Sequence, residues 1–141
     1  MTVAQALKEK NRLAAQLKKL WGRLNQWNSI IDGNTRLYEP RDLLTEIEET
    51  KIKLIAIKTG IHMASQTVRN KIFELSELKS HLNYLNTLNV KSGRIYDYGE
   101  YQYRSAVVTE LEKDNMQNEI EKRIEQIQAE LDQFNHTTKI D

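Results

Sequence analysis

Apolar residues recur at steps of three and four over most of this chain. Leu13, Leu17, Leu20, Leu24, Trp27 and Ile31 form one such row near the start, and Ile120, Ile124, Ile127, Leu131 and Phe134 form another near the end. That spacing lays each set along one stripe of an α-helix. Leu43, Leu44, Ile47, Leu54 and Ile55 follow the same period. So do Val68, Ile72, Leu75, Leu78, Leu82, Leu85 and Leu88. Between the row that ends at Leu88 and the one that begins at Ile120 the period changes. Tyr96, Tyr98, Tyr101 and Tyr103 alternate on either side of Gly99, the pattern of a small β-hairpin.

Punctuation residues set the boundaries. Thr2 with Gln5 reads as a capping box that opens the first helix, and Asp32-Gly33-Asn34 supplies turn chemistry to stop it, predicting a helix over 2–31. Glu39-Pro40 opens a second helix over 40–59, since proline tolerates the first helical position, and Thr59-Gly60 closes it. A third helix, with Ser65 or Thr67 as cap, covers 67–89. The hairpin covers 94–104, and a fourth helix covers 106–135 with a frayed tail after it. The expected fold is therefore all-α, a single 1–141 domain. Its four long amphipathic helices form an antiparallel bundle or paired helical hairpins, and a Tyr-rich hairpin precedes the last helix.

Charge sharpens this picture. Residues 1–31 hold six bases and one acid, whereas 105–135 hold three bases and eight acids. The first and last helices are thus expected to pack side by side. The whole chain carries a net charge of +1, so bulk electrostatics select no partner. With 39% hydrophobic and 29% charged residues, one proline and no cysteine, the composition is that of long helices. The lack of cysteine excludes disulfides, thiolate chemistry and Cys-ligated zinc. The charged N-terminal segment does not resemble a signal peptide, and no apolar run reaches the roughly 18 residues needed to span a bilayer. A cytoplasmic location is the expectation.

The order of pieces resembles a known group. Met1-Thr2-Val3-Ala4-Gln5-Ala6-Leu7-Lys8-Glu9-Lys10-Asn11-Arg12-Leu13, then Asn28-Ser29, Glu39-Pro40 with Leu43-Leu44 and Ile47, the hairpin, and the closing Leu131 to Asn135 look like the small bacterial proteins labelled septicolysin. The resemblance spans nearly the full chain, and the family label implies membrane-lytic activity. It carries no catalytic signature and no functional residues. A longer turn-rich excursion between the second and third helices is expected in that family, where this chain has only Thr59-Gly60-Ile61-His62-Met63-Ala64-Ser65.

Candidate chemistry is sparse. Glu46 with Glu49 and Glu74 with Glu77 have the i, i+3 spacing that holds Mg²⁺ in all-α nucleotide pyrophosphohydrolases, although such pairs are common on any solvated helix. His62, His81 and His136 are scattered, and His81 with Glu77 makes at most half a metal site. No phosphate cradle or nucleophile elbow occurs, and no cofactor is implied. Tyr96, Tyr98, Tyr101 and Tyr103 are candidate interface residues. Together with Arg94 and Arg104 they could stack on single-stranded nucleic acid, but the basic surplus that such binding needs is lacking. The basic first helix, with Trp21 and Trp27, could lie on an anionic membrane, yet its stripe better suits a bundle. Asn83, Asn86 and Asn89 either fix the register of an interface or line a solvated edge. The balance favours a non-enzymatic, self-associating assembly or interaction protein, expected to be a homo-oligomer. A membrane-binding or pore-forming protein and a Mg²⁺-dependent nucleotide hydrolase are the alternatives.

Overall fold

The computed structural model describes residues 1–141, all side chains included except that of Asp97. It is mostly helical, with one small antiparallel sheet before the last helix. The elements are α1 (Val3–Trp27), α2 (Pro40–Ala64), α3 (Arg69–Thr87), β1 (Gly93–Asp97), β2 (Glu100–Arg104) and α4 (Glu110–Thr137). Contacts divide the chain into two compact units. One comprises Met1–Thr67 with Gln133–Asp141, the other Val68–Asp132.

In the first unit α1 starts as its residues dictate. The Thr2 hydroxyl accepts from the Gln5 N–H at 3.2 Å while the Gln5 side-chain oxygen accepts from the Thr2 N–H at 2.8 Å, so two otherwise orphaned donors are satisfied. The helix ends earlier than expected, at Trp27. Arg36 folds back from the following loop, and its guanidinium donates to the carbonyls of Trp27 (2.9 Å) and Asn28 (3.1 Å). Ile31 consequently leaves the helical stripe and is 77% exposed.

The stripe of α1 is covered by α2, which runs back along it. Leu20, Leu24, Leu43 and Ile47 form the core cluster, with Leu17 and Tyr38 against it and the Arg23 guanidinium over the Tyr38 ring. Within the first unit the basic α1 thus takes α2 as its apolar partner. Apolar fit dominates this seam, since burying one leucine is worth about 1.5–3 kcal/mol, whereas an exposed ion pair is worth only about 0.2–1 kcal/mol. The last residues do meet α1, but at its first turn. Val3 N–H donates to Thr138 O (2.8 Å) and Ile140 N–H to Met1 O (3.0 Å), with Thr2 and Lys139 in an antiparallel bridge. The tail expected to fray is thus tied down, and Val3 and Ala6 are buried.

Two other boundaries differ from expectation. Gly60 does not end α2. The helix continues to Ala64, then passes through a 3₁₀ turn, Ser65–Val68, directly into α3, so that one helical run extends from 40 to 87. A helical glycine costs only about 1 kcal/mol, and the partly buried Ile57 and Ile61 on either side outweigh it. Neither Ser65 nor Thr67 caps α3. The cap position is Val68, which makes no side-chain bond.

In the second unit α3 and α4 run antiparallel. Partners on α4 fall in number as those on α3 rise: Lys71 with Glu130, Glu74 with Arg123, Asn86 with Gln117 and Leu88 with Lys113. Of the three asparagines, Asn86 does cross the interface, its side-chain oxygen accepting from Gln117 at 2.6 Å. Lys113 donates to the carbonyls of Asn86 (3.4 Å) and Leu88 (3.3 Å), neutralising the negative end of α3. Helix α4 begins at Glu110 rather than 106, with the Thr109 hydroxyl accepting from the Glu112 N–H.

Leu20→Ala should destabilise the protein by about 2–5 kcal/mol, since it removes a buried side chain from the α1–α2 core. Ile31→Ala should stay within about 0.5 kcal/mol of the parent. Urea unfolding of the two variants checks the contrast.

Candidate functional site

The hairpin is the most distinctive surface of the second unit. Tyr98 and Gly99 occupy its turn with φ of +51° and +80°. Two successive positive φ angles mark a type I′ turn, whose twist matches that of the strands it joins. Gly99 suits the second position, and Tyr98, unusually for a bulky residue, takes the first. The register pairs Gly93 with Arg104, Arg94 with Tyr103, Ile95 with Gln102, Tyr96 with Tyr101, and Asp97 with Glu100. At the base, the Ser92 hydroxyl accepts from the Ala106 N–H at 2.9 Å.

Because cross-strand partners share a face, Arg94, Tyr96, Tyr101 and Tyr103 all lie on one side of this ribbon. The Tyr96 and Tyr101 rings meet edge to face at 5.1 Å, and the Arg94 guanidinium lies 3.8 Å from the centre of the Tyr101 ring. These contacts preorganise the face without covering it. Tyr96 and Tyr101 remain 63% and 62% exposed, Tyr103 80%, and Tyr98 at the tip 97%. Further along the chain after β2, Val107, at 94% exposure, and Leu111 are exposed as well. In the first unit α2 shows a second uncovered stripe, Leu44, Ile52, Ile55 and Met63, on the side away from α1.

The acidic candidates are placed separately. Glu46 and Glu49 are exposed on α2, and Glu46 shares a shallow cleft of about 430 Å³ with Arg12, Lys19 and Arg23 of α1. Glu74 is engaged by Arg123 through two bonds, 2.9 and 3.1 Å, while Glu77 faces solvent. Among the described residues, no three His, Asp or Glu side chains gather where a metal ion could sit. The bond from Arg123 holds the Glu74 carboxyl below the usual carboxylate range, and the bond from Lys71 does the same for Glu130.

One cleft has no counterpart in the residue pattern. Leu13, Ala56, Ile57, Gly60 and Ile140 line an apolar hollow of about 400 Å³ in the first unit, with Glu9 and Lys53 also on its wall. Gly60 and Ile140 approach closely on its wall, with the tip of Ile140 3.2 Å from where a Cβ at position 60 would lie. Among the described residues, no helix is long and apolar enough to cross a membrane. The chain matches no family model, no curated protein and no solved structure.

Gly99→Ala should lower the population of the hairpin, because a Cβ at this φ costs about 1–2 kcal/mol. Loss of NMR cross-peaks between the Tyr96 and Tyr101 rings, with the helical signals unchanged, is the expected result. A pH dependence follows from the two carboxylates. Their affinity for protons is lower folded than unfolded, so their stabilisation is complete above the unfolded carboxyl range and disappears as pH falls through the folded one. Thermal melts should show Arg123→Ala losing stability at neutral pH and responding less to acidification than the parent.

Proposed function

We propose that this chain is a non-enzymatic, self-associating assembly protein, an antiparallel helical bundle that uses its tyrosine hairpin as the contact element. One observation carries this reading: the hairpin places three strand tyrosines and an arginine on one face, ordered among themselves and open to solvent. Tyrosine and arginine are the residues that interfaces concentrate, since each offers wide contact area with a polar tip. A two-stranded ribbon is also marginal in water by itself, and a partner on its open face would stabilise it. The uncovered stripe of α2 points the same way, because scattered apolar residues are ordinary on a surface but an aligned set is not.

The reading as a Mg²⁺-dependent nucleotide hydrolase has less support, with Glu74 engaged by a guanidinium instead of free to bind metal. The membrane reading rests on the basic face of α1 and the half-exposed Trp21, while among the described residues no helix is long and apolar enough to cross a membrane.

Sedimentation equilibrium at micromolar concentration should give a mass above that of one chain. Replacing Tyr101 and Tyr103 together by Ser should weaken the association at least about tenfold, as expected for central interface tyrosines. A parent protein that sediments as one chain at every concentration would refute the proposal.

A further inference from the structure

The outer edge of β2 carries more information than its tyrosine face. In a hairpin with a two-residue turn, the residue pair beside the turn exchanges both main-chain hydrogen bonds, and bonded and non-bonded pairs then alternate away from it. Asp97 with Glu100, Ile95 with Gln102 and Gly93 with Arg104 are therefore the bonded pairs of this register. Tyr96 with Tyr101 and Arg94 with Tyr103 are the non-bonded ones. It follows that the N–H and C=O groups of Tyr101 and Tyr103 point away from β1. Among the described residues the sheet has two strands only, and every residue of β2 is exposed. Two donors and two acceptors thus stand in a row along an open strand edge.

The sequence on that edge is complementary to its own reverse. Laid antiparallel to itself about Gln102, the stretch Glu100-Tyr101-Gln102-Tyr103-Arg104 sets Glu100 against Arg104, Tyr101 against Tyr103 and Gln102 against Gln102. The same alignment matches the free main-chain groups, since Tyr101 and Tyr103 are the residues whose bonds are available and they come opposite each other. Charges on an edge strand ordinarily deter pairing. In this register they become attractive at both ends, and a slip of one or two residues removes the match. The β1 edge, laid against its own reverse, sets Gly93 against Asp97 and Arg94 against Tyr96, which yields no pair of opposite charges.

We propose that β2 pairs with β2 of a second copy of this chain, antiparallel about a two-fold axis at Gln102, to make a continuous four-stranded sheet. This rests on the self-association reading and specifies its geometry. Paired residues in an antiparallel ladder share a face, so Tyr96, Tyr101 and Tyr103 of both copies line the same side of the joined sheet. The contact is isologous, and each end of the edge repeats the same Glu100 to Arg104 match.

The test uses the full chain, which has no cysteine of its own. At the axis the two Gln102 positions form a non-bonded pair with Cα atoms about 4.5 Å apart, within the span of a disulfide. Gln102→Cys should therefore oxidise to a covalent dimer, while Glu100→Cys, which faces Arg104 of the second copy, should not. Glu100→Arg alone and Arg104→Glu alone should each associate several-fold more weakly than the parent, through like charges opposite one another. An equimolar mixture of the two should recover parent-like association as a heterodimer. Tyr103→Pro should abolish pairing with the hairpin retained, because that N–H faces outward, while Tyr103→Thr keeps the donor and should associate more strongly than the proline variant. If the parent associates but Gln102→Cys does not cross-link and the charge variants associate like the parent, edge pairing is overturned and the contact lies on another surface. A parent that is a single chain at all concentrations overturns edge pairing together with the self-association on which it rests.

Discussion

A helix with one apolar stripe has to press that stripe against something, and α1 settles the matter with the next helix along the chain. Leu20 and Leu24 close on Leu43 and Ile47 across a single loop. Closing a short connection loses less chain entropy than bringing distant segments together, so when two acceptable apolar surfaces compete, the nearer one has the advantage. With α2 so occupied, its Leu44, Ile52, Ile55 and Met63 remain on the opposite side without a cover. The first unit is therefore stabilised by one helix–helix seam and by the strand-like docking of the chain end on Met1 and Val3.

Polar chemistry does a different job in the second unit. Glu74 with Arg123, Lys71 with Glu130 and Gln117 with Asn86 are exposed or half-exposed, and each contributes little energy. Their use is in alignment. A guanidinium gripping a carboxylate by two parallel bonds accepts one geometry, and Lys113 closing the end of α3 fixes how far the two helices can slide.

Several of these features could be found in the residues themselves. Thr2 and Gln5 announced the start of α1, Pro40 that of α2, and the alternating tyrosines about Gly99 announced the hairpin to within a residue, because each signal is local. Other features had no local signal. Arg36 caps α1 from nine residues beyond Trp27, Glu74 finds its arginine forty-nine positions away, and Thr138 to Ile140 dock through main-chain groups that every residue type possesses. The α1–α2 seam itself follows apolar fit, a stronger force than the screened attraction between exposed charges. The candidate interface was visible as four tyrosines. That three of them share a face with Arg94, and that β2 mirrors itself, required the register.

Two glycines inside helices illustrate how context reverses the meaning of one residue type. Gly22 in α1 has open space where a side chain would go, and Gly60 in α2 has the tip of Ile140 only 3.2 Å from that point. Helix propensity alone would recommend alanine at both, for a gain of about 0.5–1 kcal/mol each. At position 22 that gain comes without interference. At position 60 the new methyl is accommodated only if Ile140, next to the residues that fasten the chain end, gives by a few tenths of an ångström, so the first glycine is the better place for a thermostabilising change.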